Sequence, residues 1–213
     1  MIRHWFFDLD GTLADTEADI RESWRQTLAD LGLECPRFDE LYTTGPTIDE
    51  VTRTLFPDLY GPDLVAKIRC GFQRHYDHDG FPNTRPYPGV IEAVRRLRAA
   101  GLQTYIATNK RYAATQTMVR HFGWDCFTRV YSSDMYADGP LGKLRKPQLL
   151  AHALEENGID AREAAMVGDT RNDFEAARFN GVVSVAVPWG YGSAEELALA
   201  DLRWEDCAAL RDS

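Results

Sequence analysis

Strand-length apolar runs alternate with helix-length amphipathic runs along most of this chain. That alternation limits the possible folds more than any other feature. The apolar runs fall at 2–7, 102–108, 127–133, 164–169 and 182–187. They are short and show little polar alternation, the pattern of strands covered on both faces. Helical patterns lie between them. In 90–100, Val90, Ile91, Val94 and Leu97 share one face, and Gly101 ends the run. In 111–122, Ala114, Met118 and Phe122 recur every four residues before Gly123, while 147–156 and 171–179 end near Gly158 and Gly181. Glycine just past a periodic run is a helix stop. Repeated strand–helix alternation predicts an α/β fold, a doubly wound (Rossmann-like) parallel sheet with helices on both faces.

Residues 14–85 break this rhythm and are too many for an ordinary loop. They carry helical signals of their own. Ile20, Trp24, Leu28 and Leu31 follow helical spacing, 64–76 is periodic, and "TIDE" at 47–50 fits a capping box. "FPNTRPYPG" at 81–89 is rich in Pro and Gly, as a linker back into the main fold would be. The expected organisation is a core domain of 1–13 and 86–213 with a small helical cap domain, 14–85, inserted. Near the end of the chain, "SAEE" at 193–196 offers a second capping box and "DLRW" an edge strand.

In open parallel sheets, ligands bind beyond the carboxyl ends of the strands, where strand order reverses. The first strand delivers Asp8 and Asp10 to that rim, and the second delivers Thr108 and Asn109. Lys143, Arg145 and Lys146 follow the third, and the fourth delivers Asp169, with Asp173 four residues on. Each has an ordinary explanation alone. Asp-Gly is a turn pair, and an acid suits the first turn of a helix. Their convergence on one rim is what sets them apart. Clustered carboxylates repel unless a cation neutralises them. Hard oxygen ligands in small number suit Mg²⁺, which keeps several waters and takes substrate phosphate. Metal and lysine together would make a positive pocket suited to a phosphate group.

The rest of the protein is negative, with 24 Lys+Arg against 33 Asp+Glu and a net charge of −9. No basic excess exists to neutralise nucleic-acid phosphates or an anionic membrane. Cys35, Cys70, Cys126 and Cys207 lie far apart with no C-x-x-C pair, so they read as reduced thiols of a cytoplasmic protein. No secretory leader pattern is expected, and no apolar run approaches the roughly 18 residues of a membrane span. His75 and His78 have H-x-x-H spacing but no third ligand, so they read as exposed cap residues. Trp24, Trp124 and Trp189 read as core or interface residues, Trp189 lying just past a strand end.

Taken together, "DLDGT", "ATNK", "KP" and "GDTRND" resemble the haloacid dehalogenase superfamily of phosphohydrolases, in order and over nearly the whole chain. "DLDGTLADTEADI", "TNK" and "YPGV" are most similar to its phosphoglycolate phosphatase-like subgroup. The resemblance implies Asp8 as nucleophile, forming an aspartyl-phosphate, and Asp10 as general acid and then base. It implies Mg²⁺ held by Asp8, the backbone carbonyl of Asp10 and Asp169, with Asp173 orienting a metal water or Lys146. Thr108 and the Asn109 amide would donate to phosphoryl oxygens, and Lys146 would steady Asp8 and the transferring group. Pro147 favours Lys146 over Lys143 as that lysine. Haloacid dehalogenases proper lack the second acid, so Asp10 points to phosphate esters.

The cap would select the substrate by closing over it. A carboxylated ester such as phosphoglycolate needs a cation or a helix start. "TTGPTIDE" offers Gly45 and Thr47 amides, expected to be free, and Arg53 lies further along the same helix. The expected function is a Mg²⁺-dependent phosphomonoester hydrolase of a small phosphorylated metabolite, with phosphoglycolate as candidate. Alternatives are a phosphoryl-transferring sugar-phosphate mutase on the same scaffold and a non-enzymatic receiver-like phospho-acceptor. Receivers place the acceptor later and have no cap. The sequence names no protein partner.

Overall fold

The computed structural model describes residues 1–78 and 81–206. In chain order the elements are β1 His4–Phe7, β2 Ala14–Asp15, α1 Glu17–Asp30, α2 Phe38–Leu41, α3 Ile48–Leu55, α4 Pro62–His78 and β3 Arg85–Pro86. There follow α5 Val90–Ala99, β4 Gln103–Thr108, α6 Tyr112–His121, β5 Arg129–Ser132, α7 Lys146–Asn157 and β6 Ala164–Gly168. Last come α8 Arg171–Asn180, β7 Val183–Ala186, α9 Ala194–Leu197 and β8 Leu202–Arg203. The chain divides into two compact units, 1–15 with 85–213 and 16–84.

The first unit holds a six-stranded sheet in the order β5-β4-β1-β6-β7-β8, and every pairing is parallel. The chain builds outward from β1 to β4 and β5, then returns to β6 on its other side. Strand order therefore reverses at β1, which creates a binding crevice at its carboxyl end. Phe7 pairs with Ile106 on one side and Val167 on the other, so the carboxyl ends of β1, β4 and β6 lie within two residues of one level. Phe6, Ile106, Ala107, Met166 and Val167 are buried, and Phe6 packs with Tyr105, Tyr131, Leu149, Leu150 and Met166. Removing each large apolar side chain from water contributes about 1.5–3 kcal/mol, which explains the near-continuous apolar strands. Helices α7 and α8 end at Gly158 and Gly181, both in the left-handed region with φ of 62° and 68°. The edge strand is β8, in the expected "DLRW".

One feature escaped the periodicity. Strands β2 and β3 form a separate antiparallel ribbon, Ala14 opposite Pro86 and Asp15 opposite Arg85. This pairing draws 14–15 and residue 85 into the sheet-bearing unit, so the chain passes between units at Asp15/Thr16 and Thr84/Arg85.

The second unit is helical, α1 to α4 around Trp24, Leu28, Phe38, Tyr42, Val51, Leu55, Phe56 and Ile68. Its two chain ends are fastened together by Asp19, which accepts from the amides of Asn83 (3.1 Å) and Thr84 (2.7 Å) and from Thr84 Oγ1 (2.7 Å). His75 is not simply an exposed residue. It is half-buried, with Nε2 at 2.7 Å from Asp30 Oδ2. The side chain of His78, and Cys207, lie outside the described residues. Trp24 and Trp124 are buried, and Cys35, Cys70 and Cys126 are free thiols. Among the described residues no helix is long and apolar enough to cross a membrane.

Candidate active site

β1 stops where its apolar run stops. The Asp8 amide still continues the ladder to Val167 O (2.9 Å). Leu9 O then accepts from the amides of Thr12, Leu13 and Ala14, so the chain turns at once through Asp10 and Gly11. Asp8 is thereby left at the strand end, 7% exposed. On the β6 side, Asp169 follows Gly168 and is fully buried. Asp173 lies in the first turn of α8, also fully buried. One carboxylate oxygen from each of Asp8, Asp169 and Asp173 falls within 4.8 Å of the others.

Lys146 opens α7, where Pro147 suits a first turn because it has no N–H to leave without an intrahelical acceptor. Its Nζ lies 2.8 Å from Asp8 Oδ2 and 2.5 Å from Asp173 Oδ1, and its side chain is 2% exposed. Lys143 is exposed, so Lys146 is the lysine at the aspartates. Asp173 has a second duty. Its Oδ2 accepts from Thr170 N (3.0 Å) and Thr170 Oγ1 (2.9 Å), which closes a capping box on α8. The helix-cap and lysine-orienting readings of Asp173 are thus both satisfied, one by each oxygen. Asp169 is held through Oδ1 by Thr12 Oγ1 (3.0 Å) and through Oδ2 by the Tyr191 amide (2.8 Å).

Three carboxylates share one lysine, an excess of two negative charges when all are ionised. The electrostatics record the strain. Burial, then repulsion from Asp173 and Asp8, pushes Asp169 up to about 8 against its bonds from Tyr191 and Thr12. Burial pushes Asp8 up to about 6, with Asp173 and Asp10 adding to it and Lys146 opposing. Burial works to lower Lys146, but the charges of Asp173 and Asp8 outweigh it and hold the ammonium above its usual value. One atom stands out. Asp8 Oδ1 is buried and has no hydrogen-bond partner among the described residues, an arrangement that costs about 1–3 kcal/mol. A buried oxygen without a partner, beside two more carboxylates and an excess of negative charge, fits a hard divalent cation.

The remaining predicted residues divide between the two units. Thr108 is buried at the end of β4, where its Oγ1 accepts from the Lys110 amide (3.2 Å). Asn109 is exposed, and its carbonyl accepts from Ser133 Oγ (2.9 Å). Asp10 meets Lys110, the last residue of "ATNK", to which the sequence reading gave no role, with Nζ at 2.8 Å from its Oδ1. Gly45, Thr47 and Arg53 belong to the helical unit. The Thr47 amide is not free, since it donates to Glu50 Oε2 (2.7 Å) in the capping box that starts α3. Arg53 donates to Tyr60 Oη (2.8 Å) and lies 3.5 Å from Asp49 Oδ2. Gly45 is exposed.

The sequence reads 188–193, "PWGYGS", as a turn, which it is, but that reading missed that the turn packs on the aspartates. Trp189 Nε1 donates to Thr12 O (3.1 Å), and Tyr191 Oη donates to Asp15 Oδ1 (3.0 Å). A side chain on Gly190 would place Cβ 2.3 Å from Asp169 Cβ, and on Gly192 1.8 Å from Asp169 O. The paired glycines of "WGYG" were the available signal, because glycine past a strand end marks close backbone approach.

A family model described as haloacid dehalogenase-like hydrolase matches residues 5–187. A phosphoglycolate phosphatase of Thiobacillus denitrificans is 31% identical over 206 residues, spanning 92% of this chain and 87% of that protein. A 5'-nucleotidase of Pseudomonas aeruginosa is also 31% identical, over 90% of this chain and 85% of that protein. Among solved structures, CbbY of Rhodobacter sphaeroides in complex with phosphate superposes with a TM-score of 0.79 at 25% identity, covering 99% of this chain and 97% of that one. The chain belongs to the haloacid dehalogenase-like hydrolase family and is an enzyme of its phosphatase type.

Proposed function

We propose that this enzyme is a Mg²⁺-dependent phosphomonoester hydrolase that works through an aspartyl-phosphate on a small phosphorylated metabolite, with phosphoglycolate the leading candidate. The observation that carries the reading is the Asp8 carboxylate. Lys146 holds Oδ2, while Oδ1 is buried without a hydrogen-bond partner among the described residues, beside Asp169 and Asp173. The carboxylates of Asp8, Asp169 and Asp173 and the Asp10 carbonyl would hold the ion, Asp173 acting in part through Lys146. When bound, the ion neutralises these acids and draws charge from the transferring phosphoryl group.

The chain's own groups perform the steps. An Asp8 carboxylate oxygen bonds to phosphorus as the bond to the ester oxygen breaks, and Asp10 gives its proton to the departing alkoxide. Asp10 then takes a proton from the water that attacks the aspartyl-phosphate, releasing inorganic phosphate and restoring Asp8. Lys146 keeps Asp8 oriented, and Thr108 and the Asn109 amide donate to the phosphoryl oxygens. Arg53 and Gly45 remain the candidates for reading the rest of the substrate, whereas the Thr47 amide is engaged by Glu50. Free thiols at Cys35, Cys70 and Cys126 support a cytoplasmic setting.

A phosphate-release assay over a panel of esters tests the reading, with Mg²⁺ present and then chelated. Phosphoglycolate, sugar phosphates and aryl phosphates belong in it. Nucleoside monophosphates join them because of the 5'-nucleotidase relative. Mg²⁺-dependent release of free phosphate is expected. Undiminished release in chelator would reject the Mg²⁺ dependence, and a phosphorylated product without free phosphate would reject the hydrolase.

A further inference from the structure

One buried ammonium has no part in the chemistry above. Strands β1 and β4 are neighbours in register, Phe7 opposite Ile106. The residue three past Phe7 and the residue four past Ile106 leave these neighbouring strands close together. Those residues are Asp10 and Lys110, and Lys110 Nζ lies 2.8 Å from Asp10 Oδ1 across 100 residues of sequence. The Lys110 amide also donates to Thr108 Oγ1 at 3.2 Å. One residue thus touches both the carboxylate assigned to proton transfer and the threonine assigned to the phosphoryl oxygens.

The pair differs from a surface ion pair. Exposed lysines stay hydrated and gain about 0–1 kcal/mol from a partner. The Lys110 side chain is 5% exposed and that of Asp10 25% exposed, so the lysine has given up its water for this contact. Neutralising the metal-binding acids does not require it, because Lys146 already lies between Asp8 and Asp173. A carboxylate on a tight turn can rotate between several directions, and proton transfer needs it within hydrogen-bond reach of one oxygen.

We infer that Lys110 is a positioning residue for the proton transfer: it holds the Asp10 carboxylate toward the leaving group and ties it to Thr108. The inference rests on Asp10 being the acid. Its signature is leaving-group dependence. An alkyl phosphate needs a proton delivered to its departing oxygen, and p-nitrophenyl phosphate needs almost none. The test compares wild type, Lys110→Met, Lys110→Arg and Asp10→Asn on both esters, with kcat and KM measured separately and thermal melts recorded.

Lys110→Met should lower kcat on the alkyl ester by about 10- to 100-fold, a share of the roughly 10²–10⁴ that positioned proton transfer contributes. Its kcat on the aryl ester and both KM values should stay within about 3-fold, since binding and phosphoryl transfer keep their own groups. Lys110→Arg should recover most of the alkyl activity. Equal losses on the two esters, or a raised KM alone, while Asp10→Asn shows the leaving-group bias, would overturn the role of Lys110. Absence of bias in Asp10→Asn would overturn the acid assignment and the inference with it. Should Lys110→Met not fold, Lys110→Gln carries the same comparison, because it also removes the charge.

Discussion

Asp173 allows its two duties to be separated by experiment. Its Oδ2 caps α8 through Thr170, and its Oδ1 binds Lys146. Asp173→Asn can keep the cap, because an amide oxygen accepts from Thr170 as a carboxylate does. Asp173→Ala removes both duties. Loss of a helix cap costs about 0.5–2 kcal/mol. Stripping one partner from a buried ion pair costs about 3–5 kcal/mol when the other charge is left alone. Here Lys146 keeps Asp8 at 2.8 Å, so the loss should fall below that range. Asp173→Ala is expected to lose about 2–4 kcal/mol and Asp173→Asn about half as much or less. Urea unfolding read by circular dichroism measures both, with unchanged m-values as the check that only stability has moved. Phosphate release should fall in both variants, because each frees Lys146 to shift from Asp8. Equal stability losses in the two variants would refute the division of labour between the two oxygens. Full activity in Asp173→Asn would refute the orienting role.

Three other outcomes can be checked separately. Gly192→Ala would drive Cβ to 1.8 Å from Asp169 O, a backbone atom. It should cost about 1–3 kcal/mol by overpacking and lower activity, as thermal melts and initial rates would report. Asp201 accepts from Ser184 N (2.8 Å) and Ser184 Oγ (2.7 Å), and these bonds hold its carboxyl below the usual range. A depressed folded-state value stabilises above the unfolded value of about 3.9, and that gain is lost as pH falls through the folded value. Asp201→Asn should therefore flatten the acid side of the stability–pH curve below about pH 4 while leaving its slope near neutrality unchanged. Arg53→Ala should weaken binding of carboxylated esters more than of a plain aryl phosphate in KM measurements. Equal effects would remove Arg53 from substrate selection.

The parallel sheet was legible because its strands are covered on both faces, so burial wrote mostly apolar runs into 102–108, 164–169 and 182–187. The site residues were legible because a strand must end where its apolar run ends, and three such ends carry Asp8, Thr108 and Asp169. Lys146 could be told from Lys143 by Pro147, which belongs at a helix start. The contacts of Lys110, Thr12 and Tyr191 were not legible, although the first two lie inside "ATNK" and "DLDGT". Their contacts cross 100, 157 and 22 residues and depend on strand register and on the path of a turn. The ribbon of β2 and β3 has two residues per strand, too few for any period to show. The Thr47 reading failed for a reason visible in hindsight. The capping box that announces α3 is the arrangement that consumes the Thr47 amide.

The central claim is that Asp8 is transiently phosphorylated. Rapid quench of the enzyme with saturating substrate and Mg²⁺, followed by peptide mass spectrometry in acid, tests it most directly. The account predicts a phosphoryl group on the peptide containing Asp8, appearing before free phosphate and missing from a folded Asp8→Asn variant. A phosphoryl group on another residue, or wild-type phosphate release by Asp8→Asn, would contradict it.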